Sequence, residues 1–473
     1  FTSYRVLNKG RSNPEHNEAF GANAGAGYAL FKDFPGVTIE NGAIIVRNDS
    51  DSILVNYADP SHGSLTMLRT VFSTQPEKSV SRAKLYVTSM GSNEVFINGE
   101  RVGEDWFGPG DSQFRETICY YAYDVTSLVK KGRNSMGAIL NPGWFTGYMT
   151  FTPGNFNFFG DNEALLAKLV ISYSDGTKET IVTDPQTWRV FKNGPIEYGS
   201  FFQGERYNAL KEEAISVSSN VNGWTTTQYN DSECTPAEII PQREWINSDI
   251  VARYDHAVQA VETLQAVKVM DTHSDDGHTY TYDMGVNMVG VPSVTIPQGW
   301  FSEGDVVILR YGEQLYPGFP GDLQEYVDLY GYEGEGRGVA GRILTETYRA
   351  ALATDFYKAK GSGKAVIQPG TTYRGYQYVQ ITIPGHSGPL PLENVKGLVL
   401  SSDRLPTGTY TATTADDNKT GMLVNQLFKN IQRSQLGNFF TIPTDCPQRN
   451  ERMGWTGDAQ AYTRTGTYNS DSR

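Results

Sequence analysis

The chain has 473 residues and a net charge of −13, and 38% of its residues are hydrophobic. This composition is globular rather than disordered, and the length allows roughly two to four domains. The acidic balance argues against nucleic acid and anionic membranes as partners. The 28 tyrosines and 49 glycines favour β-sandwiches over helix bundles.

Strand patterns dominate the first half of the chain. Residues 1–64 show no helical period, and 43–47 and 52–55 have strand composition, which predicts an amino-terminal β segment. Further on, Asn98-Gly99 and Asp175-Gly176 each separate two strand-like runs and predict hairpins. Short strands at this regular spacing indicate a sandwich or jelly roll. We place this predicted domain at residues 65–215.

Three aromatic residues of this region have two interpretations. Trp106, Trp144 and Phe145 could form a platform on which a sugar ring stacks. Aromatic side chains more often fill the core and rim of a sandwich, so we favour that interpretation.

A second β region follows a connecting segment. Residues 216–262 are rich in Ser, Thr, Asn and Pro and are predicted to link two domains. Strand patterns return over 282–290, 306–313 and 373–381. They predict a second β-sandwich over residues 263–412.

A helical period appears only after residue 412. Asp416 or Asp417 can cap this helix, and Gly437 is its predicted stop. Apolar residues at helical spacing form one stripe, which consists of Leu423, Val424, Leu427, Phe428 and Ile431.

The residues with chemical potential are concentrated just after this helix. Glu451, Trp455, Asp458 and Tyr462 follow at i, i+4, i+7 and i+11, which is the spacing of one helical face, with Glu451 on the loop just before the helix. An indole can stack on a pyranose, and carboxylates accept hydrogen bonds from hydroxyl groups. A Glu among apolar and acidic neighbours retains its proton, as a general acid requires. The simpler alternative is a solvated helix start with Arg–Glu pairs.

The run over residues 445–460 reads DCPQRNERMGWTGDAQ and resembles the signature of α-L-rhamnosidases of glycoside hydrolase family 78. The resemblance implies that Glu451 is the general acid. It also implies that acids bind rhamnose hydroxyls, that an arginine braces the site and that aromatic side chains line it. These substrate-binding residues are Asp445, Arg449, Trp455, Asp458 and Tyr462. One departure is Asn450, which stands where the family usually has Asp.

The resemblance also implies a fold and a reaction. The expected fold is mainly β, with a jelly roll and a concanavalin-like sandwich followed by the first helices of an (α/α)6 barrel over 413–473. The expected reaction is inverting hydrolysis of terminal α-L-rhamnose from glycosides or polysaccharides. The general base and the rest of the barrel are expected beyond residue 473, so this chain alone should be inactive and should expose apolar surface.

Two alternatives from other classes stay open. One is a carbohydrate-binding protein built on the β-sandwiches, without activity in this fragment. The other is a polysaccharide lyase or phosphorylase on a similar helical barrel.

The remaining signals concern cofactors and location. No cofactor or metal site is expected from three cysteines and six histidines, and a structural calcium ion is the exception left open. Three buried thiols are the first expectation for the cysteines, and a Cys119–Cys234 bridge is the alternative. No run approaches the length of a membrane span. Sequons at Asn48, Asn230 and Asn418 weakly favour a secreted, extracellular glycoprotein.

Overall fold

The computed structural model describes residues 64–151, 157–240, 248–270, 278–315, 343–349, 351–361, 363–403, 406–415 and 418–471, and the backbone of four earlier strands. Those four strands form two antiparallel pairs. They are β1 (Tyr4–Asn8), β2 (Val37–Glu40), β3 (Ala43–Val46) and β4 (Ile53–Ala58). β1 pairs with β4 and β2 with β3, and the strands predicted at 43–47 and 52–55 overlap β3 and β4.

The middle of the chain forms a β-sandwich of two sheets, which we call the first sandwich. It also contributes two strands to a further and larger sheet, which we call the second sheet. Its strands are β5 (Met67–Ser73), β6 (Val80–Met90), β7 (Ser92–Ile97), β8 (Glu100–Arg101), β9 (Thr117–Asp124), β10 (Arg133–Asn141), β11 (Ala164–Tyr173), β12 (Lys178–Val182), β13 (Arg189–Phe191), β14 (Ile196–Ser200), β15 (Gly204–Asn208), β16 (Thr235–Pro236) and β17 (Asp249–Ala252). β14 and β15 are the two that belong to the second sheet. In the first sandwich, one sheet has the order β16-β13-β5-β10-β7-β8, and the other has the order β12-β11-β6-β9-β17. Their facing sides bury one core that includes Leu85, Ile97, Met136 and Leu169.

Local sequence signals are confirmed in this sandwich. Asn98 and Gly99 join β7 to β8 with φ values of 54° and 89°, the left-handed pair that this turn requires. Asp175 and Gly176 lie between β11 and β12. Trp144 and Phe145 are buried in a separate hydrophobic core that they share with residues of the second sheet, so the sugar-platform interpretation is wrong for both.

The second sheet curls around one long, bent strand. Its further strands are β18 (Gln259–Gln265), β19 (Lys268–Met270), β20 (Thr279–Ile296), β21 (Val306–Gly312), β22 (Thr354–Lys358), β23 (Ala365–Ile367), β24 (Arg374–Thr382) and β25 (Val395–Ser401). The sheet has the order β14-β15-β22-β21-β24-β20-β25-β18, and β19 and β23 also pair with β20. A bulge between Asp283 and Met288 shifts the register of β20 against β24 and bends the strand.

Strand pairing joins the predicted domains to one another. β14 and β15 lie between β13 and β16 of the first sandwich in the chain, yet both belong to the second sheet, where β15 pairs with β22. The predicted connecting segment contributes β17 to the first sandwich and β18 to the second sheet. Backbone hydrogen bonds of these strand pairs thus connect residues on the two sides of positions 215 and 262. The domain boundaries that we placed there stay predictions.

Two α-helices lie at the carboxyl-terminal end of the described residues. They are α1 (Lys419–Asn438) and α2 (Thr456–Asn469), separated by β26 (Phe439–Phe440) and β27 (Ile442–Pro443). Asn418 is the observed N-cap of α1, and the predicted caps Asp416 and Asp417 lie outside the described residues. No described helix has the length and apolarity needed to cross a bilayer.

Helix α1 buries its carboxyl-terminal end and exposes much of its apolar stripe. Leu423 is 72% exposed and Leu427 is 57% exposed, whereas Val424, Phe428 and Ile431 are half-buried. This agrees with the expected apolar surface.

Gly437 has a different role from the one predicted, because α1 continues past it to Asn438. It is buried against β20, where a Cβ at this position would lie 2.7 Å from Val289 Cγ2. Close packing of the helix on the sheet, and not helix termination, requires glycine here.

The cysteine expectations are partly wrong. All three thiols are free, so there is no Cys119–Cys234 bridge. Cys446 is buried as expected, but Cys119 and Cys234 are only half-buried.

A buried polar network fixes the junction between the two β regions. One carboxylate oxygen of Glu205, on β15, accepts hydrogen bonds from Gly370 N at 2.7 Å and from Thr371 N at 2.9 Å. Nearby, Arg374 pairs with Asp355 at 3.1 Å, and both side chains are buried. Burial raises the pKa of Glu205 from its ordinary 4.5 to about 7, against the lowering effect of these donors.

The glycine at position 437 makes a packing prediction. Gly437→Ala should lower the free energy of unfolding by roughly 1–3 kcal/mol, because the added methyl group overlaps Val289. The matched control is Gly457→Ala in α2, where no atom lies within 4 Å of the new Cβ and helix propensity adds up to about 1 kcal/mol. Urea unfolding measures both. Equal stabilisation by the two substitutions would contradict the packing argument.

The raised pKa of Glu205 predicts a pH dependence of stability. The folded state holds this proton more tightly than the unfolded chain, so the contribution of Glu205 is present below about pH 4.5 and is lost as the pH rises towards about 7. Between pH 5 and pH 8 the loss should be about 1–3 kcal/mol. Glu205→Gln should remove that part of the loss in urea unfolding, while the exposed control Glu104→Gln should not. Burial also raises the pKa of Asp111 to about 7. Asp111 is present in the parent and in both variants, so its contribution to the pH dependence of stability is the same in all three.

Candidate active site

The loop that carries the motif, residues 444–455, is held by one buried arginine. Arg452 has a left-handed backbone with φ of 54°, and its guanidinium lies 4.6 Å from the ring centre of Tyr373. It donates to the carbonyls of Arg449 at 3.0 Å, Gln448 at 3.3 Å and Tyr373 at 3.1 Å. Burial lowers the pKa of Arg452. The sequence analysis assigned no role to Arg452. The one feature that could have indicated it is that the motif contains a second arginine besides Arg449.

The two ends of the loop are tied together by Asp445. Its amide donates to the carbonyl of Met453 at 3.0 Å, and its Oδ1 accepts from the amide of Met453 at 2.7 Å. Burial raises the pKa of the neighbouring Cys446 thiol to about 12, with a smaller raising contribution from the Asp445 carboxylate. One oxygen of Asp445 therefore maintains the shape of the loop.

Glu451 lies before α2 on the loop, as predicted, and its side chain is 12% exposed. Three side chains donate to it. Trp455 Nε1 lies 3.1 Å from Oε1, and Arg449 Nε and Arg349 Nη1 each lie 3.0 Å from Oε2.

The expected surroundings of Glu451 are therefore incomplete. The acidic neighbour Asp445 lies within 4.8 Å and the indole of Trp455 contacts the carboxylate, but two guanidinium groups also bind it. Arg349 comes from the second β region, 102 positions away in the sequence, so no local pattern could predict it.

Arg449 links the two acids of the loop, as the resemblance implies. Its Nη2 lies 3.4 Å from Asp445 Oδ2 and 2.9 Å from Glu451 Oε2. The indole of Trp455 binds Glu451 through its nitrogen and is 41% exposed, so part of the ring is accessible to a ligand.

Asp445, Asp458 and Tyr462 line a cavity of about 370 Å3 between α1 and α2. Asp458 is exposed in the first turn of α2, and Tyr462 is half-buried one turn later. The hydroxyl group of Tyr462 donates to Gln435 Oε1 at 2.9 Å, and burial raises the pKa of Tyr462. Tyr462 thus also connects the two helices. Of the predicted site residues, Asp458 and Tyr462 line this cavity, whereas Arg449 and Trp455 contact Glu451. Asp445 lines the cavity and also contacts Arg449.

Asn450, the departure from the motif, makes a contact that Asp could not make. Its side-chain amide donates to the carbonyl of Phe151 at 3.1 Å. A carboxylate has no proton to donate at this position.

Asp445, Cys446 and Glu451 form the one group among the described residues whose ligand atoms lie close enough to share a metal ion, all within 4.8 Å. Their contacts do not suit a cation. The guanidinium of Arg449 already joins the two carboxylates, and the pKa of about 12 keeps the thiol protonated. A thiolate, not a thiol, binds metals.

Comparison with known proteins identifies the chain. Family models match residues 78–262 as an α-L-rhamnosidase N-terminal domain, 273–401 as a bacterial α-L-rhamnosidase concanavalin-like domain and 417–473 as a bacterial α-L-rhamnosidase six-hairpin glycosidase domain. The chain belongs to the α-L-rhamnosidase family. The mainly β fold with its first helices, as expected from the resemblance, is confirmed.

Individual relatives agree. The α-L-rhamnosidase of Streptomyces avermitilis is 34% identical over 398 residues, which is 84% of this chain and 34% of that protein. An Alteromonas α-L-rhamnosidase is 32% identical over 431 residues, which is 90% of this chain and 41% of that protein. The Streptomyces avermitilis rhamnosidase structure complexed with L-rhamnose has a TM-score of 0.73 at 32% identity and covers 90% of this chain and 37% of its own. The chain thus spans between a third and a little over two fifths of the length of these rhamnosidases.

The anchoring of the loop is testable by hydrogen exchange. Arg452→Met leaves three carbonyls without their donor, so protection of the Met453 amide should fall by roughly 10–100-fold. The control is Arg464→Met on the exposed side of α2, where the guanidinium donates to the hydroxyl group of Tyr468 at 3.2 Å. Unchanged protection of Met453 in Arg452→Met would contradict the anchoring role.

Proposed function

We propose that this chain carries the general acid and part of the sugar site of an inverting α-L-rhamnosidase. The observation that supports this is the arrangement at the loop. A carboxyl group, Glu451, is held by an indole and two guanidiniums beside a cavity lined by two further acids. Such a cavity suits a neutral sugar, since Asp445 and Asp458 offer acceptors for hydroxyl groups.

Glu451 would act on the oxygen that leaves with the aglycone. As the bond between the anomeric carbon and this oxygen breaks, the oxygen takes the proton of Glu451. A water molecule attacks the anomeric carbon from the opposite face and gives its proton to a general base, so the configuration inverts. In inverting enzymes the two carboxyl groups stand about 6.5–9.5 Å apart to admit this water.

The same loop would bind and orient the rhamnose ring. The exposed part of Trp455 offers an apolar surface for the C–H face or the C6 methyl group of the sugar. Asp458 has an exposed carboxylate for hydroxyl pairs, and Tyr462 lines the cavity beside it. Negative charge on Asp445 and Asp458 would also stabilise the positive charge that develops at the anomeric carbon.

We assign the general base to a part of the enzyme outside these residues, because Asp445 maintains the loop and Asp458 is given to hydroxyl binding. We likewise propose that further helices of an (α/α)6 barrel cover Leu423 and Leu427. Exposed apolar side chains on one helix face are a surface that neighbouring helices bury. The chain by itself would then bind sugar without hydrolysing it.

Secretion is a further part of the proposal. Its support is the exposure of Asn230 and Asn418, two of the three sequon asparagines, on the surface of the protein. Asn48 lies outside the described residues.

The role of Glu451 is tested in the natural enzyme that contains this chain. Glu451→Gln should lower kcat for an alkyl α-L-rhamnoside, a poor leaving group, by about 10²–10⁴-fold, because the leaving oxygen loses its proton donor. A nitrophenyl α-L-rhamnoside should lose much less. Calorimetry should give a Kd for L-rhamnose within a few-fold of the parent.

The control for this experiment is Glu303→Gln at an exposed turn of the second sheet, which should leave both quantities unchanged. Unchanged turnover of the alkyl rhamnoside in Glu451→Gln would remove Glu451 from the role. Binding of L-rhamnose without turnover of either rhamnoside by the parent enzyme would favour the carbohydrate-binding alternative.

A further inference from the structure

The carboxylate of Glu451 receives a contact from outside the helical region. Arg349 follows a short 3-10 turn, Glu346–Tyr348, in the stretch between β21 and β22. Its Nη1 lies 3.0 Å from Glu451 Oε2, and its side chain is 39% exposed. No motif in the sequence indicated this residue.

The backbone at Arg349 is held in an unfavourable conformation by its neighbours. Its φ of 51° lies in the left-handed region, which costs a non-glycine residue roughly 1–2 kcal/mol. The preceding Tyr348 is fully buried, and its hydroxyl donates to the carbonyl of Gly375 at 2.7 Å. This contact fixes the turn from which the side chain of Arg349 extends.

Gly375 also packs against the loop over residues 444–455, which carries Glu451. A Cβ at this position would lie 3.0 Å from both Pro447 Cγ and Gln448 Cβ. The turn that carries Arg349 and the loop that carries Glu451 therefore rest on the same residue of β24. Their relative position is set by the sheet, so the ion pair joins two rigidly supported segments.

The charged groups around Glu451 divide unevenly between its two oxygens. Arg349 and Arg449 both bind Oε2, and Trp455 binds Oε1 through a neutral N–H group. Arg449 is shared with Asp445 and also lies near Glu313, whose pKa is raised by burial against the lowering effect of Arg449. Arg349 brings a second positive charge to the same oxygen from the β side.

Resting on the proposed function, we propose that Arg349 is a positioning residue for the general acid. Together with Arg449 it occupies Oε2, so that the transferred proton is carried on Oε1. The β region before the helices thereby takes part in the reaction without contacting the sugar ring.

The test uses Arg349→Gln and Arg349→Lys in the natural enzyme that contains this chain. Arg349→Gln removes one of the two guanidiniums on Oε2, so kcat for an alkyl α-L-rhamnoside should fall by about 10-fold as the proton on Oε1 is less well placed. A nitrophenyl α-L-rhamnoside, which needs the proton less, should lose much less. Arg349→Lys keeps a charged donor and should recover most of the lost kcat for the alkyl α-L-rhamnoside. KM and the Kd for L-rhamnose should change little in either variant.

Several outcomes overturn the inference. An unchanged kcat for the alkyl α-L-rhamnoside in Arg349→Gln would do so, and so would an equal loss for the nitrophenyl α-L-rhamnoside or in the exposed control Arg464→Gln. Thermal unfolding checks that each variant is folded. In the Glu451→Gln background, the substitution Arg349→Gln should have no further effect on turnover, and a further 10-fold loss would show that Arg349 acts elsewhere.

The failure of this inference can be told apart from the failure of the proposed function. If Glu451→Gln retains turnover, the proposed general acid is wrong whatever Arg349 does. If Glu451→Gln abolishes turnover of the alkyl α-L-rhamnoside and Arg349→Gln leaves the rates on both rhamnosides unchanged, only the role of Arg349 is wrong.

Discussion

The candidate site depends on one buried guanidinium. Arg452 satisfies three backbone carbonyls and lies against the ring of Tyr373, so an irregular loop acquires a fixed shape. A buried charge is costly unless its hydrogen bonds are made, and here the loop itself supplies the acceptors. The loop and its anchor therefore stabilise each other. Glu451 lies next to Arg452 in the chain, so its position follows from this packing.

The site is assembled from parts that the chain supplies far apart. The helices contribute Asp458 and Tyr462, the loop contributes Glu451, and the second β region contributes Arg349 and the support at Gly375. The side-chain amide of Asn141 on β10 donates to the carbonyl of Thr371, which also belongs to the buried network around Glu205, and this contact joins the first sandwich to the same body. In this rhamnosidase family member the β regions are thus a framework for the loop over residues 444–455 as well as domains beside it.

How far the sequence predicts this site is clear from particular residues. Trp455 and Arg449 lie within four positions of Glu451, and both contact it, as residues close in sequence on a tight loop must. The acidic neighbour that we expected, Asp445, lies within 4.8 Å of Glu451, but the second guanidinium was not predicted because Arg349 approaches from a distant segment. Gly437 was misinterpreted for the same reason. Glycine is required at this position because Val289 on β20 leaves no room for a Cβ atom. In the sequence, such a glycine cannot be distinguished from one that ends a helix.

The sequence by itself determined the mainly β class, the hairpins, the two helices and the family to which the chain belongs. These depend on alternation, turn residues and a contiguous motif, and all three are properties of neighbouring residues. Only the tertiary structure decided which charges face Glu451, which aromatic residues are buried and how the sheets share strands. Those contacts join residues from tens to more than a hundred positions apart, and their energies depend on packing that no short stretch of sequence contains.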